Sequence, residues 1–253
     1  MAGAWERGQL ARQNKMLILP KTIGHRGIAA YAPENTLAGL YQAKQLGLSW
    51  VEFDVMLTQD HEPIVIHDET LNRTTNGRGR VDEMTYADIV KLEAGSWFGA
   101  SFAGEKIPHL TAYLDTAKTL GLKINVEIKP SSGKEVTTAQ KVVEILQQKW
   151  PERDALLISS FSLASLRAVR EIDPSVPLGL LLNRWFLGWE NVLKELSAFS
   201  LHVRHQILSA EKVKHIHDLG YKALAYTVDD PSVASRLYEW GVDAVFSNTV
   251  LAL

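Results

Sequence analysis

Four short runs in this chain hold residues able to move protons, grip an anion and bind a hard cation: Gly24-His25-Arg26-Gly27, Glu52-Phe53-Asp54, His67-Asp68 and Glu127-Ile128-Lys129. In Trp50-Val51-Glu52-Phe53-Asp54-Val55, a β-strand points both carboxylates from one face and Val51, Phe53 and Val55 from the other. Two anions on one face repel unless a cation lies between them. Glu127 and Lys129 repeat the same spacing at the end of another apolar run. Three carboxylates gathered with Arg26, Lys129, His25 and His67 make a polar centre that a structural core does not tolerate unpaired.

The formal charges of Glu52, Asp54, Glu127, Arg26 and Lys129 cancel when one divalent cation and one phosphodiester anion are added. All-oxygen ligation in a chain without cysteine points to a hard ion, Mg²⁺ or Ca²⁺, rather than zinc. Such an ion polarises a phosphoryl oxygen, and the planar fork of Arg26 suits another. Phosphodiester cleavage then needs one group to take a proton and one to give a proton, for which His25 and His67 are the candidates. Asp68, adjacent to His67, is expected to point away from that ring as neighbours on a strand do. Taken singly, each residue has a plain structural reading. A strand-end histidine is usually just hydrogen-bonded, Glu127 and Lys129 form an ion pair, and Pro33-Glu34-Asn35-Thr36 starts a helix with Asn35 near its cap. Their joint occurrence is what selects the chemistry.

Such groups are positioned by elements that alternate along the chain. Strands are expected at Lys21–His25, Trp50–Leu57, Pro63–His67, Leu122–Lys129, Ala155–Ser160, Val176–Leu182, Leu201–His205, Lys222–Thr227 and Asp243–Ser247. Helical periods fall between most of them, as over Asn35–Leu46 and Leu163–Ile172. That alternation predicts a parallel sheet with crossover helices, so the fold class is α/β. In a parallel barrel functional side chains gather at the carboxyl ends of the strands, where these polar residues fall. Between His67 and about Leu110 the rhythm breaks into Asn76-Gly77, Arg78-Gly79, Gly95 and Gly99-Ala100, which reads as an insertion over about 68–110. Its Trp97, Phe98 and Phe102 favour an ordered cap.

With 253 residues, the chain is of the length of one (β/α)8 barrel domain, expected over 16–253 after a loose leader at 1–15. A net charge of −2 with scattered Lys and Arg lacks the basic stripe that nucleic acid binding requires. The short Met16-Leu17-Ile18-Leu19 run before Pro20 is no signal-peptide core, and no later run is long enough for a membrane span. A soluble, cytoplasmic protein is expected, with a small molecule as its partner and no integral membrane segment.

The chain resembles the glycerophosphodiester phosphodiesterases, most closely the cytoplasmic bacterial type, over nearly its whole length. The resemblance is carried in order by His25-Arg26-Gly27, Pro33-Glu34-Asn35-Thr36, Glu52-Phe53-Asp54, His67-Asp68 with Leu71 and Arg73-Thr74, and Ala94-Gly95-Ser96-Trp97. It continues through Val126-Glu127-Ile128-Lys129-Pro130, Ser159-Ser160-Phe161 and Tyr226-Thr227-Val228. It implies a TIM-type (β/α)8 barrel with a small insertion after the second strand region. It also implies hydrolysis of glycerophosphodiesters, such as glycerophosphocholine or glycerophosphoethanolamine, to sn-glycerol 3-phosphate and an alcohol. By the same resemblance Glu52, Asp54 and Glu127 ligate one divalent cation, His25 and His67 carry protons, and Arg26 and Lys129 bind phosphate. Glu34 supports the site, and Phe161 and Tyr226 form apolar walls. Tyr226, Asp229 and Asn248 depart from the family pattern, which has Trp and Asn around the late Thr-Val motif and Asp near the last strand. These departures are expected to touch neither the metal nor the histidines.

Three other readings compete. A lysophospholipase D needs an apolar groove for an acyl chain, and a metal-dependent lyase with Lys129 as base leaves His25 and Arg26 idle. A phosphodiester-binding protein without activity has no use for two intact histidines and three carboxylates.

Overall fold

All eight residues of β2 (Trp50–Leu57) are buried, as expected of a parallel strand covered on both faces. The computed structural model describes residues 17–251; the expected leader at 1–15 lies outside the described residues. Eight strands pair in parallel. They are β1 (Thr22–Gly24), β2, β4 (Lys123–Ile128), β5 (Leu156–Ser160), β6 (Leu178–Leu182), β7 (Ser200–Arg204), β8 (Lys222–Tyr226) and β9 (Ala244–Ser247). Pairing of β1 with both β2 and β9 closes the ring into a TIM-type (β/α)8 barrel. The remaining strand, β3 (Pro63–Val65), pairs antiparallel with β2 outside the ring.

Outer helices follow the ring strands: α1 (Leu37–Gln45), α2 (Leu110–Thr119), α3 (Glu135–Lys149), α4 (Leu163–Ile172), α5 (Trp189–Glu195), α6 (Ala210–Asp218) and α7 (Pro231–Glu239). Local chemistry sets several of their starts. Thr36, Ser162, Ser209 and Asp230 each accept a hydrogen bond from a first-turn amide, and Pro231 occupies the first turn of α7, where no amide is needed. The apolar core has two parts. Outward-facing Val51, Phe53 and Val55 pack with Leu110, Tyr113 and Leu114 of α2, and the rings of Phe53 and Tyr113 lie 4.5 Å apart. Inside the barrel, Ile23, Trp50, Leu157, Leu224 and Phe246 form a separate plug, with Leu17 and Phe199 at its amino-terminal end. That plug leaves the carboxyl end of the barrel for polar residues.

The segment between β3 and α2 contains only short helical turns, at Val81–Glu83, Tyr86–Ile89 and Ala100–Phe102. It has its own apolar cluster, in which Leu71, Val81, Ile89, Ala94 and Ile107 pack on Met56, Ile64 and Ile66. Trp97, Phe98 and Phe102 stack edge-on in a separate aromatic run.

Gly24 closes β1 where no side chain fits. A Cβ there would overlap the Gly27 carbonyl oxygen and press to 2.9 Å of Leu48 Cδ1. Gly24→Ala is therefore expected to destabilise the fold by about 1–3 kcal/mol or more. Urea denaturation measures this; an unchanged midpoint would mean the β1 turn relaxes freely.

Candidate active site

The turn after β1 brings Arg26 into the site through an uncommon backbone conformation. Arg26 and Asn35 have φ of 52° and 59°, the left-handed region that non-glycine residues seldom occupy. Hydrogen bonds hold both there: Arg26 N–H donates to Glu52 Oε2 at 2.9 Å, and Asn35 N–H donates to the Arg26 carbonyl at 3.0 Å. Asn35 is consequently not part of α1, which begins one residue beyond Thr36. Its side-chain amide instead donates to Asp54 Oδ2 at 2.9 Å.

Glu52, Asp54 and Glu127 converge as their strand register dictates, since Asp54 pairs with Glu127 across β2 and β4. One carboxylate oxygen from each lies within 4.8 Å of the others. Glu52 Oε1 and Glu127 Oε1 are buried with no hydrogen-bond partner among the described residues. Burial, then the charges of Asp54 and Glu127, push Glu52 well above the usual carboxylate range. Burial and the Asp54 charge likewise push Glu127 up to about 8. Burial would raise Asp54 too, but Lys129, His67 and Arg26 outweigh it and hold Asp54 ionised. Three crowded oxygen donors, two with unused lone pairs, fit a hard dication, so this group could hold a metal ion.

Arg26 and Lys129 border this trio. Arg26 Nε lies 3.6 Å from Asp54 Oδ2, and Lys129 Nζ lies 3.9 Å from both Asp54 Oδ1 and Glu127 Oε1. Contacts of that length leave the Lys129 ammonium and the Arg26 Nε edge without a close carboxylate partner, so both can turn charge toward an anion.

Both histidines are fixed by their Nδ1 atoms. Asp229 accepts from the Asn248 side-chain amide at 2.8 Å, which leaves Asn248 Oδ1 to accept from His25 Nδ1 at 2.8 Å. Because a carboxylate only accepts, this chain of contacts sets the amide orientation and gives His25 the Nδ1–H tautomer. His25 Nε2 then faces Glu52 Oε2 at 3.9 Å. Burial, with Arg26 beside it, lowers His25 to about 4, so the ring is neutral. The expectation that Asn248 and Asp229 stand clear of the histidines is thus corrected. The β1 and β9 ends are hydrogen-bonded, His25 N–H to the Ser247 carbonyl, which puts the two residues side by side.

Asp68 is also a correction. Strand β3 ends at Val65, so strand alternation does not govern His67 and Asp68, and His67 Nδ1 lies 2.7 Å from Asp68 Oδ1. Burial outweighs the neighbouring carboxylates and lowers His67 below its ordinary value. Arg73, which the sequence supplied only as part of a motif, makes a double fork. It donates to Asp68 Oδ2 at 2.7 Å and to both Glu34 oxygens at 2.7 Å. Glu34 in turn accepts from Arg26 Nη1 at 2.8 Å. One network therefore ties the segment after β3 to the turn after β1.

A cavity of about 200 Å³ opens at the carboxyl end of the barrel. His25, Arg26, Glu52, His67, Glu127, Lys129, Phe161 and Tyr226 all line it. Asp54, 1% exposed, lies behind the other two acids and does not line the cavity, and Glu34 is set back from it, reaching it through Arg26. Phe161 and Tyr226 meet edge-on with ring centroids 5.9 Å apart, and the Tyr226 hydroxyl donates to the Leu182 carbonyl. Sequence reasoning missed Asn125 and His202 and quoted Ser159 only within a motif; all three line the same cavity below the acids. Asn125 precedes Glu127 by two on β4, and that spacing was a usable signal.

Fold and site together define a (β/α)8-barrel enzyme with a carboxylate trio and two histidines at the carboxyl ends of its strands. A family model described as the glycerophosphoryl diester phosphodiesterase family matches residues 25–252. A glycerophosphodiester phosphodiesterase of Caldanaerobacter subterraneus is 34% identical over 226 residues, covering 89% of this chain and 93% of that protein. The structure of an Oleispira antarctica phosphodiesterase in complex with the product sn-glycerol-3-phosphate superposes with a TM-score of 0.88 at 40% identity, over 91% of this chain and 93% of that one. A glycerophosphodiester phosphodiesterase from Agrobacterium tumefaciens superposes with a TM-score of 0.75 at 28% identity, over 91% and 96% of the two chains. The chain belongs to the glycerophosphoryl diester phosphodiesterase family and is an enzyme of that type.

Proposed function

We propose that the enzyme hydrolyses glycerophosphodiesters, such as glycerophosphocholine and glycerophosphoethanolamine, to sn-glycerol 3-phosphate and the free alcohol, with one divalent cation held by Glu52, Asp54 and Glu127. The observation that carries this reading is the carboxylate trio within 4.8 Å, bordered by Arg26, Lys129, His25 and His67 in one cavity. Bound there, Mg²⁺ or Ca²⁺ supplies Lewis-acid polarisation of a phosphoryl oxygen. The rest falls to the chain itself. Arg26 and Lys129 hold the phosphodiester oxygens, the guanidinium being kept in place by Glu34. Neutral His25 offers its Nε2 lone pair to the attacking hydroxyl, and His67 protonates the departing alkoxide. A phosphodiester anion offsets the Arg26 and Lys129 charges that help keep His67 neutral, favouring its protonated form when substrate is bound. Attack by the glycerol 2-hydroxyl gives a cyclic phosphate, which water opens with the two histidines exchanging roles. Phe161 and Tyr226 wall the alcohol side.

A coupled assay for sn-glycerol 3-phosphate over a panel of glycerophosphodiesters and dications tests the reading. Release with Mg²⁺ or Ca²⁺ and none in chelator is expected. No release with Mg²⁺, Ca²⁺ or Mn²⁺ would sink it, and choline release from lysophosphatidylcholine at a rate equal to that from glycerophosphocholine would shift the substrate class to lysophospholipids. The proposed location is the cytoplasm, with which the cysteine-free composition is compatible; no helix among the described residues is long and apolar enough to cross a membrane.

Asn248→Leu removes the acceptor that fixes the His25 tautomer while leaving the metal-site residues in place. We expect kcat to fall by about tenfold or more with KM little changed. Steady-state kinetics on glycerophosphocholine decide this, and an unaltered kcat would show that His25 needs no such support.

A further inference from the structure

Below the carboxylate trio the barrel interior does not turn apolar at once. Asn125 on β4, Ser159 on β5 and His202 on β7 line the floor of the cavity, at 1%, 1% and 0% exposure. The Asn125 side-chain amide donates to Ser159 Oγ at 2.9 Å, and His202 Nε2 lies 2.8 Å from Ser200 Oγ. Each of the two larger residues keeps one polar atom without a partner among the described residues: Asn125 Oδ1 and His202 Nδ1. Buried polar atoms are nearly always paired, and these two belong to the same cavity. Room for the imidazole is made by Gly179 on β6, where a Cβ would overlap the His202 ring. Burial lowers His202 to about 3, so the ring enters any contact uncharged.

We infer that Asn125 and His202 form a subsite for the terminal hydroxyl of the glycerol moiety, the one not esterified and not used in attack. The inference rests on the function proposed above and assigns the glycerol half of the substrate to the barrel floor. A hydroxyl is donor and acceptor at once. It donates its proton to Asn125 Oδ1 and accepts from His202 Nδ1–H, the tautomer in which His202 Nε2 accepts from the Ser200 hydroxyl. Size agrees with this assignment. The floor is closed beneath by Leu157, Leu224 and Phe246, which suits a polyol of fixed length. On the other side an open groove runs past Lys129 and Phe161 to Pro130, Glu135 and Ser162, which suits alcohols of varied size. A site built to hydrogen-bond a hydroxyl rejects an analogue lacking it, because its own buried polar atoms are left unpaired.

Calorimetry on the dication-loaded enzyme provides the test, with sn-glycerol 3-phosphate, its 1-deoxy analogue and inorganic phosphate as ligands. The wild-type enzyme is expected to bind sn-glycerol 3-phosphate roughly tenfold or more tightly than the deoxy analogue. Asn125→Leu and His202→Phe should each bring that ratio to within about twofold while leaving inorganic phosphate affinity unchanged. Ser159→Ala, which removes only the partner of the Asn125 amide, is a milder variant should the others fold poorly, and it should reduce the ratio in the same direction. Equal binding of the two ligands by the wild-type enzyme overturns the inference, as does an unaltered ratio in all folded variants. Neither result touches the proposed function, which fails instead if the wild-type enzyme releases no sn-glycerol 3-phosphate from any diester.

Discussion

His67→Ala is expected to lower kcat by about 10²–10⁴-fold, the usual contribution of a positioned general acid, while dication affinity stays within a few-fold of wild type. His67 lies after β3, its Nδ1 is engaged by Asp68, and Asp68 is itself clamped by Arg73. His67 lines the cavity but is not one of the three candidate ligands, so truncating it removes a proton carrier without removing a ligand oxygen. Steady-state kinetics paired with calorimetric titration of Mg²⁺ and Ca²⁺ separate the two roles. If the variant loses the dication along with turnover, His67 is a ligand and the acid must be sought elsewhere. His25→Ala is a less clean experiment, because His25 Nε2 is 3.9 Å from Glu52 Oε2 and its neighbour Arg26 donates its amide to the same oxygen.

The second large effect has two readouts of opposite sign. Glu52→Gln should weaken dication binding by roughly 10–100-fold, with turnover falling alongside, because a formal charge leaves a site that has only three. The metal-free variant should nonetheless be more stable than metal-free wild type at alkaline pH. Burial and mutual repulsion raise Glu52 and Glu127, the latter to about 8 from an ordinary 4.5. A carboxylate whose folded value is raised contributes its full share of stability below the unfolded value and loses it as pH climbs through the folded one. Metal-free wild type should therefore lose stability between about pH 5 and 8 on this account, and Glu52→Gln should flatten that decline. For the same reason the gain in Tm on adding Mg²⁺ or Ca²⁺ to wild type should be larger at pH 8 than at pH 6. Melting curves with and without chelator across this range give the answer; a dication gain independent of pH would mean the trio is already ionised without metal.

Much of the site was legible in the residues because period-two spacing survives folding. Glu52 and Asp54 must share a face in any strand, and Glu127 joins them once β2 and β4 pair in parallel. The barrel itself was legible from alternating apolar runs, although most strand ends moved by a residue or two, as with β3 stopping at Val65. That small shift had chemical consequences, since it freed Asp68 to turn toward His67.

What the sequence by itself determined is the alternation of strands and helices, the shared faces of the acids and the placement of His25, Arg26 and His67 after strands. These follow from contacts between residues near one another along the chain. Only the tertiary structure decided which distant residues complete them. Asn248 reaches His25 because closing the barrel sets β9 beside β1, Arg73 reaches Glu34 because the segment after β3 folds over the turn after β1, and Asn125 and His202 meet in one cavity from opposite parts of the ring. Ring closure and long-range packing create those neighbours, and no local spacing encodes them.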